Sequence, residues 1–163
     1  MKKTLLVSSL FLASCLFASA ATVHQTATGS SAYKGDGSSA LESGLMESKV
    51  VENAKVARIK GDMSQWGYVT YWMGRRTPAG AATVRIRIYN TAEPVAGYAL
   101  YLSGGPNDAY GQLTVPAGTA PDTFVDVDIP VALAKEWSGI VIKKTTADAL
   151  PGPWIESVTV LLD

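Results

Sequence analysis

The sequence predicts an all-β chain folded as an antiparallel β-sandwich, and three observations carry that prediction. Val84, Ile86 and Ile88 alternate with Arg85 and Arg87, and Val125, Val127 and Ile129 alternate with Phe124, Asp126 and Asp128. A period of two places each apolar set on one face of a strand. Between such runs lie Gly, Pro, Asn and Asp clusters, among them SGGPNDAYG at 103–111 and PGP at 151–153, whose residue types make turns. Finally, no segment of helical period is long enough for the crossover of about a dozen residues that parallel strands require.

Taken in order, the chain opens with Lys2 and Lys3, an apolar run from Leu5 to Phe17, and the small residues Ala18-Ser19-Ala20. Basic, apolar, then small is the order of a signal peptide, so residues 1–20 are expected to be a leader and the protein to be secreted or periplasmic. The apolar run is shorter than the roughly 20 residues of a membrane-spanning helix. Leu12-Ala13-Ser14-Cys15 also resembles a bacterial lipobox, so lipid anchoring through Cys15 stands as the alternative. Residues 21–45, rich in Ser, Thr, Gly and Ala, are expected to be a flexible linker or N-terminal segment. The β-sandwich domain is assigned to residues 46–163.

Within it, 45–59 carries both helical and strand signals, and strands are favoured because everything downstream is β. Tyr68–Trp72 and Val84–Tyr89 flank RRTPAG and are expected to pair as a hairpin. Tyr98–Leu102, Gln112–Val115 and Phe124–Ile129 follow as strands, the last ended by Pro130. Ile140-Val141-Ile142, apolar on both faces, is expected to be a central strand, and Trp154–Leu162 closes the chain. About seven to nine short strands at this spacing indicate a sandwich or barrel.

Composition narrows the function. Without the leader no cysteine remains, which excludes disulfides, cysteine metal sites and thiol nucleophiles. His24, the one histidine, lies near the expected mature N-terminus, so histidine-based nucleophilic catalysis lacks its parts. Loss of Lys2 and Lys3 leaves 12 basic residues against 14 acidic ones, a net charge of −2. No basic patch points to nucleic acid. Asp126 and Asp128 share a strand face and are assigned to a solvated surface rather than to paired-carboxylate hydrolysis.

The order of these pieces resembles the galactose-binding-like jelly roll of carbohydrate-binding modules of families six and thirty-five. The resemblance rests on Gly67-Tyr68-Val69-Thr70-Tyr71, on Pro78-Ala79-Gly80-Ala81-Ala82-Thr83-Val84-Arg85-Ile86-Arg87, on Thr123-Phe124-Val125-Asp126-Val127 and on Trp154-Ile155-Glu156-Ser157-Val158-Thr159-Val160. It covers roughly Val50 to Leu162. It implies a sugar site of aromatic rings and an asparagine on loops at one rim, where ring faces stack on sugars and polar groups fix hydroxyls. Trp154 stands where that pattern has its asparagine, and loop 116–122 carries no aromatic.

The ligand candidates are therefore Trp154, Tyr110, Trp66, Asn107 and Asp108, all at loops or loop-to-strand junctions. Trp72, Tyr98 and Tyr101 are assigned to strand packing. The resemblance also implies a structural calcium held by acids of the first and last strands, here Glu52 and Glu156. Glu156, in phase with Val158 and Val160, is expected to point inward, where it needs calcium or an arginine such as Arg85 or Arg87 as partner. The expected function is a secreted, non-catalytic module that binds a glycan. The alternative is a structural or protein-interaction sandwich of the cell surface or extracellular matrix.

Overall fold

In the computed structural model the described residues are 21–162 except Pro106. The expected leader, Cys15 and Asp163 lie outside them. Among the described residues eleven strands form and there is no helix. They are β1 (Thr22–Thr28), β2 (Ala32–Tyr33), β3 (Met46–Val51), β4 (Ala54–Ile59), β5 (Tyr68–Thr77) and β6 (Gly80–Asn90), followed by β7 (Tyr98–Leu102), β8 (Gly111–Gln112), β9 (Thr123–Leu133), β10 (Trp137–Lys144) and β11 (Trp154–Leu162).

Two antiparallel sheets stack face to face. One has the order β3-β4-β11-β6-β9, with β1 also paired to β11; the other has the order β2-β5-β10-β7-β8. The sandwich inferred from the alternating runs is thus the observed architecture. Its core is the inward set of each strand: Val69, Tyr71 and Met73 of β5 and Ile140 and Ile142 of β10 face Val84, Ile86 and Ile88 of β6 and Val158 and Val160 of β11, all buried. The 45–59 stretch forms two strands, joined by Glu52 and Asn53 at φ of 49° and 69°, the left-handed pair of a tight hairpin turn.

Three local expectations are corrected. The runs around RRTPAG do not pair: β5 lies between β2 and β10, and β6 between β11 and β9. The turn carries the chain from one sheet to the other, because each strand buries its apolar face most fully against the opposite sheet. Pro130 does not end its strand, since β9 runs on to Leu133 with Pro130 paired to Thr83. An edge strand has one neighbour only, so a missing N–H is tolerated on its free side.

The 21–45 segment is built into the fold. β1 aligns with the C-terminal half of β11, from Thr22 opposite Leu162 to Thr28 opposite Ser157, and Ala27, Ala32 and Ala40 are buried. Its Thr and Val residues find strand partners along an edge of β11 that would otherwise be unpaired. Gly29 locks the junction. A Cβ there would sit 1.9 Å from the Ile155 carbonyl oxygen, and the Gly29 carbonyl accepts a hydrogen bond from the buried Tyr71 hydroxyl at 3.3 Å.

Candidate functional site

The inward set of β5 leaves Tyr68, Thr70 and Trp72 on the outer face of the five-stranded sheet. Register then assembles the rest. Tyr33 of β2 lies opposite Thr70, Thr70 opposite Val141 of β10, and Val141 opposite Tyr101 of β7. Two aromatic rings thus stand at the ends of a row whose middle is small. In the flanking rows Tyr68 is opposite Lys143, and Trp72 is opposite Gly139. Gly139 keeps the floor low, since a Cβ there would lie 2.9 Å from Ser103 Cβ and 3.0 Å from Thr70 Cγ2.

The result is a cleft of about 600 Å³ whose walls include Tyr68, Trp72, Tyr101, Lys34, Asp36 and Asn107. Trp72, in the middle of β5, is 49% exposed, and Tyr68, its first residue, 42%. Gly35 allows Tyr68 its position, as a Cβ there would fall 2.7 Å from the tyrosine hydroxyl. A shallower groove shares Lys34, Gly35 and Tyr68 and continues to Trp66, which is 55% exposed. Lys143 Nζ lies 5.5 Å from the Trp66 ring centre and 5.1 Å from that of Tyr101, within the range in which a cation is drawn to a ring face.

Polar groups line the rim. Lys34 Nζ is 3.4 Å from Asp36 Oδ2. The Ser38 hydroxyl and amide donate to Asp36 Oδ1 at 2.6 and 2.9 Å, and these bonds hold the carboxyl down at about 2. Asn107 and Asp108 are exposed on the β7–β8 loop, with Asn107 bordering the cleft.

The sequence-derived candidates therefore divide. Trp66 and Asn107 border this continuous surface, and Asp108 shares the loop of Asn107. Tyr110 is half-buried and its hydroxyl donates to the Ala132 carbonyl at 3.0 Å. Trp154 lies on the outer face of the other sheet and is 6% exposed. Lys49 Nζ and the Arg58 guanidinium carbon lie 4.4 and 4.3 Å from its ring centre, so two cationic side chains cover it. Trp154 does border a separate cavity of about 340 Å³ at that end of the sandwich, beside Tyr89 and Val95.

Trp72 and Tyr101, assigned from sequence to packing, face outward into the cleft. The signal that could have found Trp72 was phase. It shares the parity of Tyr68 and Thr70, opposite to that of Val69, Tyr71 and Met73.

Glu156 is also corrected. The register between β11 and β6 shifts between Ile155 and Ser157. That bulge inserts one residue, so Glu156 leaves the phase of Val158. Its Oε2 lies 2.6 Å from Arg87 Nε, one of the two arginines expected as its partner. Glu52 sits in the β3–β4 turn. Among the described residues no group of three or more acids, histidines or cysteines is placed to hold a metal ion.

No protein-family model matches the chain, and no curated protein matches it significantly. Solved structures do. A family thirty-five carbohydrate-binding module from Paenibacillus barcinonensis superposes with a TM-score of 0.56 at 13% identity, over 83% of this chain and 96% of its own. A native family thirty-five module from Clostridium thermocellum gives 0.53 at 12% identity, over 89% and 100%. The chain has the jelly-roll fold of carbohydrate-binding modules. A family six module from Cellvibrio mixtus lichenase 5A, solved in complex with cellotriose, matches this jelly roll at 0.55 and 13% identity, over 85% and 97%.

Proposed function

We propose that the protein is a secreted, non-catalytic module that binds a glycan on the outer face of its five-stranded sheet. The observation that carries this reading is the pair Tyr68 and Trp72, exposed on one strand beside a floor kept low by Gly139 and Thr70. Ring faces present an apolar surface for the C–H face of a pyranose, and the rim groups Lys34, Asp36 and Asn107 supply donors and acceptors for hydroxyls. The two aromatic positions are four residues apart, about 13 Å along an extended strand. That separation suits an oligosaccharide better than one sugar ring. The jelly-roll fold and the cellotriose complex of the Cellvibrio mixtus module support this choice of ligand class.

The test is a glycan array probed with residues 21–163, followed by calorimetric titration of any hit against Trp72→Ala, Tyr68→Ala and Trp154→Ala. Loss of binding in the first two with retention in the third is expected. A blank array from folded protein would shift the assignment to a structural or protein-binding sandwich, with the likeness to these modules one of fold alone.

A further inference from the structure

Lys144 ends β10 with its side chain directed into the protein, and it is 0% exposed. A buried ammonium is costly unless its donors are satisfied. Here they meet a cage of oxygens. Nζ lies 3.1 Å from the Met63 carbonyl, 2.5 Å from that of Asp148, and 3.4 Å from those of both Gly61 and Leu150. The Asp148 carboxylate stands 3.8 Å away. An ammonium has three N–H donors, so four carbonyls oversubscribe it and at least one bond is shared. All five oxygens come from two loops, β4–β5 (60–67) and β10–β11 (145–153).

The same lysine governs Trp66 through its main chain. The Trp66 amide donates to the Lys144 carbonyl at 3.0 Å, and the Lys144 amide donates to the Gly67 carbonyl at 2.9 Å. Between them Trp66 holds φ of 70°, a left-handed conformation that a bulky residue adopts only when its surroundings impose it. The loops are also pressed together at Gly61, where a Cβ would sit 2.0 Å from the Ala149 carbonyl oxygen.

We propose that Lys144 is a positioning residue: its ammonium is the internal cation of an oxygen cage that joins the two loops and holds Trp66 at the end of the aromatic face. The cage has the donor chemistry that hard metal cations take, carbonyls plus a carboxylate, with the cation supplied by the chain itself. Removing the side chain beyond Cβ leaves a site for a small primary alkylammonium ion. The positioning role stands on this geometry alone. Its effect on ligand affinity rests on the glycan reading.

Hydrogen exchange read by mass spectrometry tests it on residues 21–163. In Lys144→Ala, exchange in 60–67 and 145–153 should accelerate about tenfold or more while β6 and β9 keep their protection. Ethylammonium should reverse the change, and tetramethylammonium, which has no N–H, should not. Unchanged loops, equal loss across both sheets, or the same response to both salts would each overturn the proposal. Asp148→Ala, an exposed and milder change, covers the case in which Lys144→Ala does not fold. It should accelerate the same loops about threefold, and no effect there would also overturn the proposal. If a glycan ligand is in hand, Lys144→Ala should weaken it no more than Trp66→Ala does. Failure of glycan binding in the wild type leaves the exchange test standing.

Discussion

The two outer faces of this sandwich are made from similar residue types and end in opposite states. On the six-stranded sheet the charges answer one another. Arg85 grips Asp128 with two nitrogens at 2.8 and 2.7 Å, and Arg87 reaches Asp126 at 3.3 Å and Glu156 at 2.6 Å. Its tryptophan, Trp154, is covered by Lys49 and Arg58. On the five-stranded sheet Tyr68 and Trp72 are exposed, as is Trp66 in the loop before β5, and Lys143 faces two rings with no carboxylate within 4 Å among the described residues. A ring that is already covered has no face left to offer a ligand. On the proposed reading, the covered face does structural work and the exposed rings do the recognising.

The sharpest way to break that comparison is to remove one tryptophan from each face. Trp72→Ala should cost about 2 kcal/mol of glycan binding or more, roughly thirtyfold in Kd, as loss of an aromatic anchor does. Its melting temperature should change little, because the ring is half in water. Trp154→Ala should reverse the pattern, losing about 3 kcal/mol of stability as a buried tryptophan does while Kd is unchanged. Calorimetric titration and denaturant unfolding on both variants decide it. Equal binding loss in the two would move the site to the cavity beside Trp154.

A smaller effect is expected from the cleft floor. Gly139→Ala adds a methyl 2.9 Å from Ser103 Cβ and 3.0 Å from Thr70 Cγ2, so those neighbours must shift beneath Trp72. Kd should rise about three- to tenfold, with about 1 kcal/mol of destabilisation from overpacking. A tighter complex would mean that the ligand does not rest on this floor.

How much of this was legible in the sequence follows from which interactions are local. Period-two alternation reports burial one strand at a time, so the inward sets of β6 and β11 were readable. So was the choice of strands over a helix at 45–59. Pairing is not local. Whether β5 and β6 form a hairpin or cross between sheets depends on distant partners, and so does whether β1 finds the free edge of β11. The site failed for the same reason. Trp154 sits at a loop junction, where exposure is the natural inference, yet its cover comes from β3 and β4. Trp72 lies mid-strand, where packing is the natural inference, yet only its phase with Tyr68 places it outside. The bulge at Glu156 inverted another phase argument, since one inserted residue changes the face of a side chain.

Acid separates the two faces more gently. Hydrogen bonding from Arg85 holds the Asp128 carboxyl below the ordinary carboxylate range. A folded-state value below the unfolded one means that this stabilisation is fully present above the unfolded value and is lost as pH falls through the folded one. Unfolding free energy should therefore stay level from pH 7 to about 5 and decline below about 4, where an unfolded Asp begins to bind protons. Asp128→Asn should remove its share of that decline, about 0.5 kcal/mol for an exposed ion pair. In the cleft Asp36 is held at about 2 by Ser38, so it remains an anion at pH 4 and its contribution to ligand binding should persist there. Denaturant midpoints and Kd measured at pH 7 and at pH 4 would thus diverge: stability declines, Asp36 and Asp128 both contributing because both are held low in the folded state, while affinity holds. A Kd that rises as steeply as stability falls would mean that the two faces are coupled, and that the charged ladder shapes the cleft from the far side of the core.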